Sequence, residues 1–126
     1  MAQGGIAGSS ILIVEDEYFI ANDARSALSD VGANVLGPVA SVDDARRMID
    51  ACPAIDGVLL DINLRGEMAF TLADTLLERG IPFAFVTGYD REAIPPRFAK
   101  AASLLKPVDH KLLIQSVHGF ATARQV

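Results

Sequence analysis

Gly57-Val58-Leu59-Leu60-Asp61 is the stretch that decides the fold: four small or apolar residues that end in an acid. The run is too short for a helix, and it lacks the polar alternation of a half-exposed strand, so it predicts a strand buried on both faces. Similar runs occupy residues 11–14, 82–86 and 103–105, and a weaker one occupies residues 34–37. The sequence therefore predicts five short strands.

Helical periodicity fills the segments between these runs. Apolar residues recur at three- and four-residue steps in four segments, which carry Ile20, Ala45, Phe70 and Leu113. A further helix is expected between residues 90 and 102, although Pro95-Pro96 must shorten or displace its start. The predicted order is therefore five strands that alternate with five helices.

This alternation predicts an α/β fold with right-handed crossovers and a parallel sheet covered by helices on both faces. Five strands suit the flavodoxin-like, doubly wound order 2-1-3-4-5, whose ligand site lies outside the carboxyl ends of the first and third strands. We expect residues 1–9 to form a flexible tail, rich in glycine and serine, and residues 10–126 to form one domain.

Composition excludes several other classes of protein. The net charge of −5 and the lack of a Lys/Arg run disfavour nucleic acid as a partner. The only cysteine, Cys52, cannot form an intramolecular disulfide, which indicates a reducing compartment. No apolar run approaches the length of a membrane span, and the start does not resemble a signal peptide. We expect a cytoplasmic monomer without a membrane partner.

Polar residues follow four of the predicted strands. Glu15-Asp16-Glu17 follows the first, Asp61 ends the third, Thr87-Gly88 ends the fourth, and Lys106-Pro107 follows the fifth. Because the carboxyl ends of parallel strands meet at one edge, we expect the carboxylates of Glu15, Asp16 and Asp61 to lie close together. Any one of these features alone is common at a strand or helix end, but the four in this order predict a site.

The expected charges identify the ion that would complete this site. Three carboxylates carry −3, Lys106 adds +1, and one divalent cation restores neutrality. Oxygen ligands favour Mg²⁺, with Mn²⁺ as a possible substitute, and the lack of histidine or cysteine at these strand ends disfavours zinc. An aspartate beside Mg²⁺ and a lysine can attack a phosphoryl group and hold it as an acyl phosphate.

Together, these residues resemble the receiver domain of two-component response regulators, and the likeness covers the chain from Ser10 onward. The resemblance implies a CheY-like fold with Asp61 as phosphoacceptor, and it implies that Glu15, Asp16, Asp61 and the backbone carbonyl of Asn63 hold the metal. It assigns Thr87 as the switch hydroxyl and Lys106 as the lysine that pairs with the phosphoryl group. It also implies a cis peptide bond before Pro107.

A narrower likeness lies in residues 61–67 and 82–89, which resemble the FATGUY subfamily of largely single-domain receivers from alphaproteobacteria. This likeness implies a sensor histidine kinase, of the HWE or a related type, or a phosphotransfer protein as phosphodonor. Because no output domain is recognisable up to Val126, we expect a phosphate sink, a relay intermediate or a regulator by direct contact. We expect no enzymatic activity beyond the chain's own phosphorylation and dephosphorylation.

One position departs from the general receiver pattern. Receivers usually carry Tyr or Phe three residues before the lysine, and this sequence has Ser103 there. The candidates for a switch are therefore Thr87, Gly88, Tyr89 and Ser103. Tyr89 could take the part of the missing ring, or it could be an ordinary loop residue.

The sequence fits three other functions less well. A small Mg²⁺-dependent phosphohydrolase of the haloacid dehalogenase type would need an acid two residues after Asp61, and Asn63 cannot act as one. A flavin or nucleotide module would need a phosphate loop after the first strand, where the acids at residues 15–17 repel phosphate. A receiver-like interaction module that is not phosphorylated would not need the complete acceptor set.

Overall fold

A parallel sheet with helices on both of its faces makes up most of the chain. The computed structural model of the protein describes residues 6–88 and 90–124. In chain order the elements are β1 (Ser10–Val14), α1 (Tyr18–Asp30), β2 (Asn34–Val39), α2 (Val42–Ala51), β3 (Gly57–Asp61), β4 (Asn63–Leu64), β5 (Glu67–Met68), α3 (Phe70–Glu78), β6 (Phe83–Thr87), β7 (Ala102–Leu105) and α4 (His110–Arg124).

The main sheet has five parallel strands in the order β2-β1-β3-β6-β7. Numbered along the chain among themselves, these strands have the order 2-1-3-4-5, so the predicted flavodoxin-like topology is confirmed. The two remaining strands, β4 and β5, form a short antiparallel hairpin directly after β3. Every residue of β3 and β6 is buried, as expected for central strands.

Alternate residues of the sheet pack into two hydrophobic cores, one on each face. Leu12 and Leu60 face the core beneath α2 and α3, whereas Ile13 and Leu59 face the core beneath α1 and α4. Neighbouring strand residues point to opposite faces, which is why continuous apolar runs rather than alternating ones mark these strands. The two cores hold β1 and β3 rigidly, and these strands carry the acids at their ends.

The prediction of an α-helix between residues 90 and 102 is wrong. Two short 3-10 helices, Asp90–Ala93 and Pro96–Phe98, lie there, and the part of the chain that is described has four α-helices. Pro95 is extended, with φ −61° and ψ 149°. A proline disfavours helical backbone in the residue before it and lacks an N–H, so two in succession stop an α-helix from propagating.

Phe98 anchors this segment in place of a longer helix. Its side chain is 2% exposed, and its ring centroid lies 5.5 Å from that of Phe85 and 6.0 Å from that of Phe70. Arg97 beside it forms a two-bond ion pair with Asp74 of α3, at 2.8 and 3.1 Å. The segment is thus fixed by one buried ring and one surface pair rather than by a helical face.

The tail expected at residues 1–9 falls partly outside the described residues. Within it, Ile6 is buried against the core of α1 and α4, and the N–H of Gly8 donates to the carbonyl of Gly32 at 2.9 Å. Packing of the described chain therefore begins at Ile6. Among the helices described, none has the length and apolar content that crossing a bilayer requires.

Candidate phosphoacceptor site

Four carboxylates meet at the carboxyl edge of the sheet. Each of Glu15, Asp16, Glu17 and Asp61 offers an oxygen within 4.8 Å of the others. The three acids predicted to lie together are therefore close to one another, and Glu17, which was not among the predicted site residues, joins them. Three of these acids, Asp16, Glu17 and Asp61, line an open cleft of about 910 Å³. The cleft is also lined by Lys106 and by Asn63, Arg65 and Gly66 of the hairpin that follows β3.

Asp61 lies at the centre of this edge because β3 lies between β1 and β6. Its side chain is 5% exposed. Its Oδ1 accepts from the N–H of Asn63 at 3.2 Å, and its Oδ2 accepts from Lys106 Nζ at 3.0 Å. The carboxylate is thus buried, oriented and paired with one cation.

Lys106 reaches the cluster from the residue after β7, where its N–H donates to the carbonyl of Thr87 at 2.8 Å. Its ammonium donates to Glu17 at 2.5 Å, to Asp61 at 3.0 Å and to Glu15 at 3.4 Å. Burial alone would lower the pKa of Lys106, but hydrogen bonds to Glu17 and Asp61 outweigh it and raise the pKa. The lysine is therefore a permanent cation in the site.

Glu15 is the most constrained acid of the cluster. Its Oε2 accepts from the N–H of Glu17 at 3.1 Å and from Lys106, while its buried Oε1 has no hydrogen-bond partner among the described residues. Burial, reinforced by the neighbouring Asp61, raises the pKa of Glu15 to about 8. In the absence of a cation the cluster therefore retains a proton at neutral pH, which means that it is short of positive charge.

Asp16 ties the cluster to the hairpin that follows Asp61. Its Oδ2 accepts from the N–H of Arg65 at 3.0 Å, and Asn63 Oδ1 accepts from the N–H of Gly66 at 2.8 Å. Arg65 and Gly66 both have positive φ, 54° and 88°, as a two-residue hairpin turn requires. This hairpin was not among the predicted elements, although a glycine three residues after an asparagine is a recognisable turn signal.

Thr87 ends β6 beside the cluster. Its side chain is 1% exposed, and in the described chain its Oγ1 has no hydrogen-bond partner. The peptide bond between Lys106 and Pro107, for which the resemblance implies a cis geometry, is cis. The edge therefore presents a buried carboxylate, a lysine and a free hydroxyl at three neighbouring strand ends.

Solved structures show a close likeness across the whole chain, although no protein-family model and no curated protein matches it. The solution structure of SdrG from Sphingomonas melonis Fr1 is 32% identical, with a TM-score of 0.77, and the match covers 98% of this chain and 100% of that one. The crystal structure of a response regulator receiver protein from Sinorhizobium medicae WSM419 is 27% identical, with a TM-score of 0.78 over 93% of this chain and 97% of that one. The chain belongs to the response regulator receiver family.

A second structure of SdrG, in its BeF₃-activated conformation from Pseudomonas melonis Fr1, is 33% identical, with a TM-score of 0.72 over 95% of this chain and 98% of that one. The similarity to SdrG is consistent with the narrower resemblance to the FATGUY subfamily. The domain is therefore a receiver of the two-component type with a CheY-like fold.

The receiver's switch candidates are only partly brought together. Ser103 pairs with Phe85 in the sheet, and like Thr87 it has a buried hydroxyl without a partner among the described residues. Thr87 lies two residues after Phe85, so both hydroxyls point to the same face of the sheet. Gly88 follows Thr87 at the rim of the cleft, and Tyr89 lies outside the described residues.

Proposed function

We propose that this receiver domain accepts one phosphoryl group on Asp61 with Mg²⁺ bound beside it, and that it passes on a signal through the resulting change in conformation. The observation that carries the proposal is the position of Asp61, buried at the end of the central strand with its Oδ2 3.0 Å from Lys106 Nζ. A carboxylate that is buried, oriented and beside a permanent cation suits nucleophilic attack on phosphorus.

The transfer needs one bond to form and one to break. A carboxylate oxygen of Asp61 attacks phosphorus, the bond from phosphorus to the donor's leaving atom breaks, and an acyl phosphate remains on Asp61. Lys106 can pair with charge on the phosphoryl oxygens. Thr87 can donate its hydroxyl to a further oxygen, which would satisfy a buried group that has no partner in the described chain.

The residues present fit a divalent cation. Four acids and one lysine sum to −3, and a divalent cation would reduce this to −1. The unpartnered Oε1 of Glu15 and its raised pKa support the same need for positive charge. Glu15, Asp16, Asp61 and the Asn63 carbonyl would hold Mg²⁺, or Mn²⁺ in its place. When bound, the ion would supply positive charge to the phosphoryl oxygens and neutralise the carboxylates.

The donor and the output follow from the same family. We infer a histidine kinase, with the HWE type as the narrower proposal, or a phosphotransfer protein as phosphodonor. The chain would be a signalling protein whose only chemistry is its own phosphorylation and dephosphorylation. The BeF₃-activated structure of SdrG supports a conformational response to a phosphoryl mimic, because that protein is one-third identical to this chain.

Incubation with acetyl phosphate and Mg²⁺, followed by intact-mass measurement, tests the proposal. We expect one base-labile phosphoryl group per chain and no label on Asp61→Asn. The matched control is Asp30→Asn, which makes the same chemical change at an exposed site of α1 and should be labelled like wild type. Label on Asp61→Asn equal to wild type would refute the assignment, and steady catalytic release of phosphate would indicate a phosphohydrolase instead.

A further inference from the structure

The side chain of Glu17 does not cap the helix that it precedes. Glu17 is the N-cap residue of α1, yet its carboxylate makes no capping hydrogen bond. The helix dipole favours an acid at this position, but glutamate is not among the residues that usually cap a helix, so its carboxylate is available to another partner. The carboxylate accepts instead from Lys106 Nζ at 2.5 Å, closer than Asp61 at 3.0 Å or Glu15 at 3.4 Å.

Lys106 has no donor left for a further acceptor. An ammonium group has three N–H donors, and those of Lys106 face Glu17, Asp61 and Glu15. When Asp61 is phosphorylated, its contact with Lys106 can pass to a phosphoryl oxygen, which lies farther from the Asp61 backbone than the carboxylate oxygen that Lys106 contacts now. Lys106 must shift to reach that oxygen, and the shift loosens its contact with Glu15 or with Glu17.

The exposed fractions of the acidic side chains show which contact Lys106 can give up. The side chains of Glu15 and Asp61 are 4% and 5% exposed, whereas that of Glu17 is 57% exposed. If Glu15 lost its cation, its buried carboxylate would be left as an uncompensated charge, whereas Asp61 keeps Lys106 as a partner through the phosphoryl group that it then carries. Glu17 can exchange Lys106 for water with little loss, since ion pairs in contact with solvent contribute little. Glu17 is thus the partner that Lys106 can leave.

We propose that Glu17 is a positioning residue that holds Lys106 before phosphorylation and releases it to the phosphoryl group. The inference rests on the proposed phosphorylation of Asp61. The chemical step itself is unchanged: an Asp61 oxygen bonds to phosphorus, the bond from phosphorus to the acetyl oxygen breaks, and acetate leaves as the anion without proton transfer. Glu17 sets how readily Lys106 becomes available to the phosphoryl group, and how long Lys106 stays paired with that group.

Glu17→Gln is the variant that tests this, because it keeps the size of the side chain and removes its charge. At saturating Mg²⁺ we expect the rate constant for labelling by acetyl phosphate to rise about two- to fivefold, within the range that loss of one exposed ion pair gives. Beryllofluoride, a phosphoryl mimic that undergoes no transfer, should bind about two- to fivefold more tightly by the same argument. This second readout is an equilibrium and does not depend on chemistry.

A double-mutant cycle separates a hold on Lys106 from a general charge effect. In a Lys106→Gln background, Glu17→Gln should change neither the slow residual labelling nor the beryllofluoride affinity. The matched control is Glu67→Gln in β5, which removes the same charge from an exposed acid and should leave both values near wild type.

Each other outcome overturns the inference. Unchanged or slower labelling of Glu17→Gln at saturating Mg²⁺ would show that Glu17 does not compete for Lys106. The same increase in the Lys106→Gln background, or in Glu67→Gln, would show a charge effect instead. Both results are distinct from failure of the proposed function, because in that case the wild-type chain itself would not be labelled on Asp61.

Discussion

Replacing Glu15 by glutamine should change how the stability of the metal-free protein depends on pH. The pKa of Glu15 is raised from 4.5 to about 8, first by burial and then by Asp61. A group whose pKa is raised on folding stabilises the native state fully below its unfolded pKa, and this contribution is lost as pH rises through the native pKa. Glu15 therefore destabilises the metal-free protein progressively between pH 4.5 and pH 8.

The magnitude follows from the proton that the native state retains. Between these two pKa values the native protein binds about one proton more than the unfolded chain, so the free energy of unfolding falls by about 1.4 kcal/mol per pH unit. From pH 5 to pH 8 the contribution amounts to about 3–4 kcal/mol, somewhat less than the full slope gives because titration is incomplete at both ends. Glutamine does not titrate, so the Glu15→Gln protein should lack this part of the decline.

Urea unfolding in EDTA at pH 5, 6, 7 and 8 measures the effect as the difference between the two proteins. That difference should grow with pH in favour of Glu15→Gln. Glu78→Gln, an exposed change of the same kind in α3, serves as control and should track wild type. Saturating Mg²⁺ should remove most of the decline from wild type, since the cation replaces the proton. A difference that stays flat within about 0.5 kcal/mol would refute the argument.

Three further predictions follow from the same contacts. Asp16→Asn should weaken Mg²⁺ binding and slow phosphorylation, because it removes one of the clustered acids; calorimetric titration with unchanged affinity would contradict this. Gly57→Ala should lower the free energy of unfolding by about 1–3 kcal/mol, because a Cβ there would lie 2.2 Å from Cδ2 of Phe120. Gly119→Ala meets no atom within 4 Å and should be neutral or stabilising, so equal effects of the two substitutions in urea unfolding would count against the packing argument. Phosphorylation should alter amide hydrogen exchange in residues 90–102, which lack an α-helix; protection that changes only around residues 15–17 and 61–66 would exclude this segment as the output.

The strand order of the sheet could be predicted because it depends on short apolar runs that are visible in the sequence. Runs such as that ending in Asp61 mark central strands, and the connection rules for parallel sheets leave few possible orders. The same order places Glu15, Asp61, Thr87 and Lys106 at one edge, so their proximity follows without knowledge of any contact. The helix predicted between residues 90 and 102 failed because the alternation of strands and helices suggested it, whereas Pro95-Pro96 stop an α-helix there and Phe98 fixes the segment as a single buried ring.

The contacts of Glu17 and Arg65 could not be predicted from the pattern. Glu17 reads as a solvated residue at a helix start, and only the reach of Lys106 from a strand far along the chain makes it part of the site. Arg65 has positive φ, which for a residue with a side chain depends on the turn that surrounds it. Both features result from long-range geometry rather than from local preference.

The hydrogen bond from Arg65 N–H to Asp16 gives this protein an internal spectroscopic probe. The donor is 49 residues from its acceptor along the chain, and it belongs to a backbone amide, which gives one cross-peak in an ordinary nitrogen–proton correlation spectrum. An amide proton that donates to a carboxylate shifts when the charge on that carboxylate changes. The Arg65 cross-peak therefore follows the state of Asp16 directly, so that ion occupancy of the cleft can be titrated without a dye, a label or a substitution at any residue of the site.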